Sequence, residues 1–134
     1  MSALNVLAKD KLDEKICERL NIWSRNPDLS AWEAIVQRMT NPTETVVIGI
    51  VGKYVHLVES YKSLNEALAH GGMASQAKVE LRFVPSDDLE DGRIDLLSGL
   101  DGILVPGGFG ERGTEGKMAA IKHAREQQIP FLGI

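Results

Sequence analysis

The spacing of apolar positions changes its period once along this chain, near Asn41-Pro42. Before that point apolar residues recur at helical intervals. Leu12, Ile16 and Leu20 stand at i, i+4 and i+8 and predict a helix over 12–20. Trp32, Ile35, Val36 and Met39 share a face of a second helix, opened by Ser30 in a capping-box pattern with Glu33. Asn26-Pro27-Asp28 reads as the turn between them. Two helices of this length cannot enclose a core of their own, so their apolar faces are expected to lie against another part of a larger protein. Residues 1–43 are accordingly read as a helical interdomain linker.

After Asn41-Pro42 short apolar runs alternate with helical stretches. Residues 46–51 form a continuous apolar run, the pattern of a buried strand. A helix follows over 60–70, with Leu64, Ala67 and Leu68 on one face and Gly71-Gly72 as its left-handed cap. A second strand, 79–84, alternates Val79, Leu81 and Phe83 with polar neighbours, which suits a sheet edge. Ile103-Leu104-Val105 is a third, short strand that runs into Pro106-Gly107-Gly108. A helix over 116–127 comes next, and 131–134 begins a fourth strand. Strands alternating with helices predict an α/β fold, a doubly wound and mostly parallel sheet that binds ligands beyond the carboxyl ends of its strands. Those ends carry Gly52-Lys53-Tyr54, the glycine-rich loop after Val105, and whatever follows Ile134. Because the last apolar strand would leave the sheet unfinished, truncation is expected.

Composition narrows the function classes. With 134 residues, 43% hydrophobic and 25% charged, the chain has material for one core. A net charge of -4 and a pI near 5.4 leave no broad basic surface, so nucleic acid is not expected as a partner, while discrete nucleotide sites stay open. No apolar run approaches the roughly 18–20 residues that span a bilayer, and residues 1–10 lack a signal-peptide layout. No membrane partner and a cytoplasmic location are therefore expected. Cys17 is the only cysteine, which excludes an intrachain disulfide and a cysteine-rich zinc site. Its place beside Leu12, Ile16 and Leu20 marks it as a packing residue rather than a nucleophile. His56, His70 and His123 show no metal spacing, and no metal site is expected in the chain.

The loop Gly107-Gly108-Phe109-Gly110-Glu111-Arg112-Gly113 is the most informative stretch. Four glycines in seven residues after a buried strand free the backbone for positive φ and for close approach of a ligand. Three readings compete. Gly108-x-Gly110-x-x-Gly113 matches the dinucleotide pattern formally, but the helix is expected late, near Gly116, and the loop follows a third strand instead of a first. A plain surface loop is the second reading, against which stand the strand-end position and the exposed Phe109 and Arg112. In the third, Gly107-Gly108 aims a backbone N–H at an oxyanion formed in acyl transfer, with a nucleophile presented by the neighbouring strand that ends in Phe131-Leu132-Gly133-Ile134. Segment 49–53 resembles a phosphate-binding loop only faintly, since its glycine spacing is short and Tyr54 stands where a Ser or Thr is needed. Lys53 and Tyr54 fit a ligand edge or a strand-end turn equally.

Residues 102–110, Arg112-Gly113, Glu115-Gly116-Lys117 and 129–134 together resemble the amidotransferase domain of the CTP synthase family. Val51-Gly52-Lys53-Tyr54, Tyr61-Lys62-Ser63 and Glu66-Ala67-Leu68 are similar to that family too. Class I glutamine amidotransferases in general share the paired glycines and the Leu-Gly-Ile approach to a cysteine, but not the run 109–117 or Gly52-Lys53-Tyr54. Leu57-Val58-Glu59-Ser60-Tyr61 departs mildly from the family's Leu-Pro-Asp-Ala-Tyr. The resemblance implies that residues 44–134 are the first half of a flavodoxin-like class I glutamine amidotransferase domain. It implies that Gly108, with Gly107 shaping the turn, binds glutamine and donates to the oxyanion, and that Phe109 and Arg112 belong to a lid over 109–116 that responds to the allosteric effector GTP. The nucleophilic cysteine would directly follow Ile134, so no catalytic residue lies in this chain, which alone is expected to be inactive. ATP, Mg2+ and UTP would bind outside it, in an enzyme that makes CTP and assembles as a homotetramer. The alternatives are another class I amidotransferase, or a non-catalytic flavodoxin-like module that binds a small anion.

Overall fold

The computed structural model describes residues 6–7, 9–23, 25, 28–53, 55, 58–108 and 110–134. The chain divides into two compact units, Met1–Thr40 and Asn41–Ile134. Among the described residues no helix is long and apolar enough to cross a membrane.

In the first unit, α1 (Leu12–Arg19) and α2 (Ser30–Thr40) fall close to their expected bounds, and neither contains a buried residue. Leu12 and Ile16 on α1, like Trp32, Ile35 and Met39 on α2, are exposed within this chain. Cys17 is half-buried on α1. Of the expected turn, only Asp28 lies among the described residues, and it takes over the capping assigned to Ser30. The N–H of Ser30 donates to Asp28 Oδ1 at 3.0 Å, an Asp side chain reaching two residues ahead. Ser30 is thus the first helical residue, and Glu33 N–H donates to the Leu29 carbonyl, so no Ser30–Glu33 box forms. The bond from Ser30 holds the Asp28 carboxyl below the ordinary aspartate range, because it stabilises the charged form.

The second unit runs β1 (Glu44–Gly52), α3 (Lys62–Ala74), β2 (Ala77–Pro85), α4 (Ser86–Glu90), β3 (Gly102–Val105), α5 (Thr114–Glu126) and β4 (Phe131–Gly133). Two 3-10 turns, Val58–Tyr61 and Ile94–Leu97, complete it. All strand pairings are parallel, in the order β2-β1-β3-β4. β2 lies at an edge, as its alternation predicts. From β1 the chain first steps to one side, through α3 to β2, and then to the other, through β3 and α5 to β4. Crossovers of one hand that run in opposite directions place their helices on opposite faces, which makes the sheet doubly wound. It also makes the β1/β3 boundary the switch point, where the carboxyl ends of the strands diverge and open a crevice.

One core cluster holds the sheet together. Val51, Val84, Ile103 and Val105 from three strands pack with Leu89, Leu97, Leu100, Ala120 and Ala124, all at most 7% exposed. At the opposite end from the crevice, Asp101 ties β1 to β3. Its Oδ2 accepts from Val47 N–H at 2.8 Å, and its own N–H donates to the Val47 carbonyl at 2.8 Å.

Several boundaries depart from expectation. β1 extends beyond 46–51 at both ends, and a 3-10 turn replaces the start of the helix placed at Ser60. Gly71-Gly72 does not cap α3, which continues to Ala74, and the left-handed residue is Gln76, at φ 57°. A side chain at Gly72 would lie 2.7 Å from both the Ala77 carbonyl oxygen and Val79 Cγ2, so the glycine permits helix–strand contact instead of ending the helix. α5 opens at Thr114, directly after Gly113. α4 and the Ile94–Leu97 turn were not expected at all, yet they supply Leu89 and Leu97 to the core.

Candidate active site at the strand switch point

The crevice is built from the ends of β1 and β3. β1 delivers Gly52-Lys53, and β3 delivers Pro106-Gly107-Gly108. Pro106 is buried, whereas Gly107 and Gly108 are exposed. Tyr61, from the turn before α3, stacks on Phe83 of β2 with ring centroids 6.4 Å apart. Its hydroxyl points to Gly52, where a Cβ would lie 2.9 Å from Oη and 3.4 Å from Pro106 Cγ, so any larger residue would have to push the Tyr61 side chain aside. From the first turn of α5, half-buried Lys117 reaches the same crevice. β4 continues the sheet beyond β3, and Ile134 N–H donates to the Val105 carbonyl at 3.0 Å. The end of β4 thereby lies beside the paired glycines.

The loop glycines divide into two groups. Gly110 and Gly113 adopt φ of 88° and 74°, which favours glycine, and a Cβ on Gly113 would overlap the buried Ser86 hydroxyl. Gly107 and Gly108 do not have positive φ, which corrects the expectation that this loop needs glycine throughout for its backbone. A Cβ at Gly107 would stand 3.6 Å from the Ile134 carbonyl oxygen, and one at Gly108 3.5 Å from Lys117 Nζ; both are ordinary contacts. Among the described residues nothing therefore demands glycine at 107 or 108. The remaining physical reason is close approach of a molecule to their backbone.

Two polar anchors fix the rest of the loop. Lys53 Nζ donates to the Gly110 carbonyl at 2.8 Å. Arg112 donates through Nε, at 2.9 Å, and Nη2 to Asp87 Oδ2 on α4. Arg112 is thus engaged by a carboxylate 25 residues away, a partner with no local signal in the sequence. Phe109 and Tyr54, the other residues read as bordering a ligand, lie outside the described residues, as does His56. His70 is exposed on α3, and His123 is half-buried on α5, where it lines a depression with Ile94 and Gln127 away from the glycine crevice. Lys117 and Tyr61 are crevice residues that the sequence reading used only as parts of motifs. The signal for Lys117 was its spacing after the loop, where a helix start turns it back toward Gly108.

Two phosphate-binding readings fail on this geometry. Residues 49–52 lie in β1, whose backbone pairs with β2 on one side and β3 on the other, so this segment cradles no phosphate. In the dinucleotide pattern the objection that the helix opens late disappears, since α5 follows Gly113 directly, but the loop still follows the third strand, and Gly113 packs closely on Ser86 of α4. Among the described residues no group of three or more His, Cys, Asp or Glu could hold a metal ion. The described residues thus supply no such cluster for magnesium.

The family model for class I glutamine amidotransferases matches residues 56–134. A CTP synthase of Desulfotalea psychrophila is 57% identical over 129 residues, 96% of this chain and 23% of the relative. One from Geotalea uraniireducens is 56% identical over 130 residues, 96% of this chain and 24% of the relative. The chain thus spans about a quarter of the length of these relatives. A solved glutaminase domain of Trypanosoma brucei CTPS with bound acivicin is 41% identical, with a TM-score of 0.60 over 66% of this chain and 35% of that one. A parallel sheet with its glycine pair at the switch point, matched in sequence by this family model and over almost the whole chain by CTP synthases, places the chain in the class I glutamine amidotransferase family.

Proposed function

We propose that residues 44–134 form the first half of the glutaminase unit of a CTP synthase, and that residues 1–43 link it to a preceding synthetase domain. The longer protein makes CTP by ATP-dependent amination of UTP, with ammonia released from glutamine. The observation that carries this reading is the position of Gly107 and Gly108: at the switch point, beside the end of β4, with no need for glycine among the described residues. Acivicin, the ligand of the trypanosomal domain, is a glutamine analogue, which supports glutamine as the molecule that approaches them.

In this mechanism a cysteine following Ile134 in the longer protein supplies a thiolate that attacks the side-chain carbonyl carbon of glutamine. The carbonyl electron pair moves onto oxygen, and the N–H of Gly108 donates to that oxyanion, with Gly107 setting the turn. A base farther along the longer protein takes the thiol proton, and as the intermediate collapses it returns that proton to the departing amide nitrogen, which leaves as ammonia. Water then opens the thioester to glutamate. ATP supplies phosphoryl transfer to UTP when bound with Mg2+ in the synthetase domain, outside this chain. The enzyme is a cytoplasmic homotetramer.

GTP, the allosteric effector, acts on the loop 109–116, with Phe109 offering a flat ring to the base and Arg112 a charge to a phosphate. Arg112 is held by Asp87, so the nucleotide has to displace that carboxylate. The pair is exposed, 74% and 36% for its side chains, and a pair of this kind is worth at most about 1 kcal/mol. Asp87→Asn in the full-length protein is therefore expected to lower the GTP concentration for half-maximal activation by up to about five-fold. An unchanged or raised concentration would show that Arg112 does not meet the nucleotide.

The reading as a whole is tested by incubating the full-length protein with UTP, ATP and Mg2+, once with glutamine and once with ammonia. CTP is expected from both. Glutamine hydrolysis without CTP from either source would identify another class I amidotransferase.

A further inference from the structure

α5 begins without a cap of its own. Its N-cap position is Gly113, which has no side chain to bond the free N–H groups of the first turn. Glycine is needed there, because its φ is 74° and a Cβ would overlap the buried Ser86 hydroxyl. An ordinary capping side chain at 113 is thereby excluded, and the acceptor has to come from another element. It comes from α4. Gly116 stands at the third helical position, to which a cap residue's oxygen ordinarily points, and its N–H donates to Glu90 Oε1 at 3.4 Å. Gly116 is buried, which leaves this N–H little access to water. Glu90 follows Asp87 by three residues, so the two carboxylates share one face of α4. Asp87 takes Arg112 of the loop, and Glu90 takes the first turn of the helix that the loop leads into. The negative charge of Glu90 also faces the positive end of the α5 dipole.

We infer that Glu90 is a positioning residue for glutamine hydrolysis: from α4 it caps α5, and thereby fixes the far end of the loop whose near end is Gly108. The inference rests on the glutaminase reading and adds to it a group that does not meet the substrate. Two features link the cap to the crevice. α5 opens directly after Gly113, so the cap sets where a loop that starts at Gly108 has to end. Lys117, next to Gly116, lines the crevice with Gly107 and Gly108, so a shift of the first turn moves one wall of the site. A donor aimed at a developing oxyanion is sensitive to such shifts, since a misplacement of about 1 Å can cost on the order of 10²-fold in rate. The Glu90 bond is long for an N–H donor, so its loss is expected to cost several-fold instead.

The test uses the full-length protein with Glu90→Met, similar in length and without the acceptor, Glu90→Gln, which keeps an acceptor oxygen, and Glu90→Ala should the methionine variant fail to fold. For glutamine hydrolysis, the variants without an acceptor are expected to lower kcat by about three- to ten-fold with KM within about two-fold, whereas Glu90→Gln should stay within about two-fold of the parent. CTP formation from ammonia should stay within about two-fold in every variant. Hydrogen exchange at amides 114–117 should quicken by about three- to ten-fold where the acceptor is lost and keep the parent rate in α3. An unchanged kcat would overturn the inference; joined to faster exchange at 114–117, it would leave Glu90 a cap with no hold on the site. Equal losses in Glu90→Gln and Glu90→Met would assign the effect to charge instead of the hydrogen bond and overturn it as well. So would a rise in KM at unchanged kcat, which would make Glu90 a contact of the substrate, and an equal loss of the ammonia reaction, which would mark general damage. If the parent protein hydrolyses no glutamine, the glutaminase reading fails and the positioning role with it, while exchange at 114–117 still reports whether Glu90 caps α5.

Discussion

Gly108→Pro in the full-length protein is expected to lower glutamine-dependent CTP formation by roughly 10²–10³-fold or more, while ammonia-dependent formation stays within about two-fold. Proline removes the N–H proposed to face the oxyanion and fixes φ near -65°. A donor aimed at charge that develops only in the transition state contributes on the order of 3 kcal/mol, which sets the size of the loss. Ammonia needs no thioester, so a synthetase domain that is intact and fed directly should not register the change. Gly108→Ala separates the donor from the space around it. Alanine keeps the N–H, and its Cβ would meet Lys117 Nζ at an unstrained 3.5 Å, so the free protein should tolerate it. Its effect should appear mainly in KM for glutamine, because the methyl group occupies the side from which the substrate approaches. If alanine lowers kcat as far as proline does, lost space is the cause and Gly108 is not the donor. Circular dichroism on both variants separates a lost donor from a lost fold.

The parallel sheet was legible because β1 and β3 are apolar runs flanked by polar or glycine-rich residues while β2 alternates as an edge strand does, which leaves little other reading for 46–51 and 103–105. Short elements were not legible. Ser86-Asp87-Asp88-Leu89-Glu90 has one large apolar residue in five, too few to show a period, and it becomes helical because Leu89 has a place in the core and α5 packs against it. The position of the glycine loop was legible from the strand that precedes it. The partner of Arg112 was not, since Asp87 reaches it only after the chain folds back over 25 residues. Glycine also misled where its reason is packing. Gly72 looks like a cap in sequence, while in the fold it lets α3 rest on the backbone of β2. Nothing in the structure explains Gly71, which faces open space.

That contrast gives a pair of expected results of opposite sign. Gly71→Ala and Gly116→Ala each replace a helical glycine, and intrinsic propensity favours alanine by roughly 0.8–1 kcal/mol at both. At Gly71 a new Cβ would meet nothing within 4 Å, so the propensity gain should survive, and α3 amides should exchange more slowly with solvent deuterium, by about three- to five-fold. At Gly116 the Cβ would overlap the Ser86 carbonyl oxygen and approach Glu90 Cγ to 3.3 Å. Ser86 is completely buried, and its carbonyl is backbone, so α4 and α5 must separate for the methyl group to fit. Overpacking of this kind costs roughly 1–3 kcal/mol, more than propensity returns, so amides of both helices should lose protection by about ten-fold. Exchange read helix by helix is the right measurement, because a multidomain protein has no single unfolding free energy to report. The same displacement would move Asp87 away from Arg112 and loosen the loop beside Gly108, so Gly116→Ala should also impair the glutamine reaction more than the ammonia reaction. Slower exchange in α4 and α5 of the Gly116 variant would mean that the two helices are not pressed together at this glycine, and the account of how the loop is anchored would fail with it.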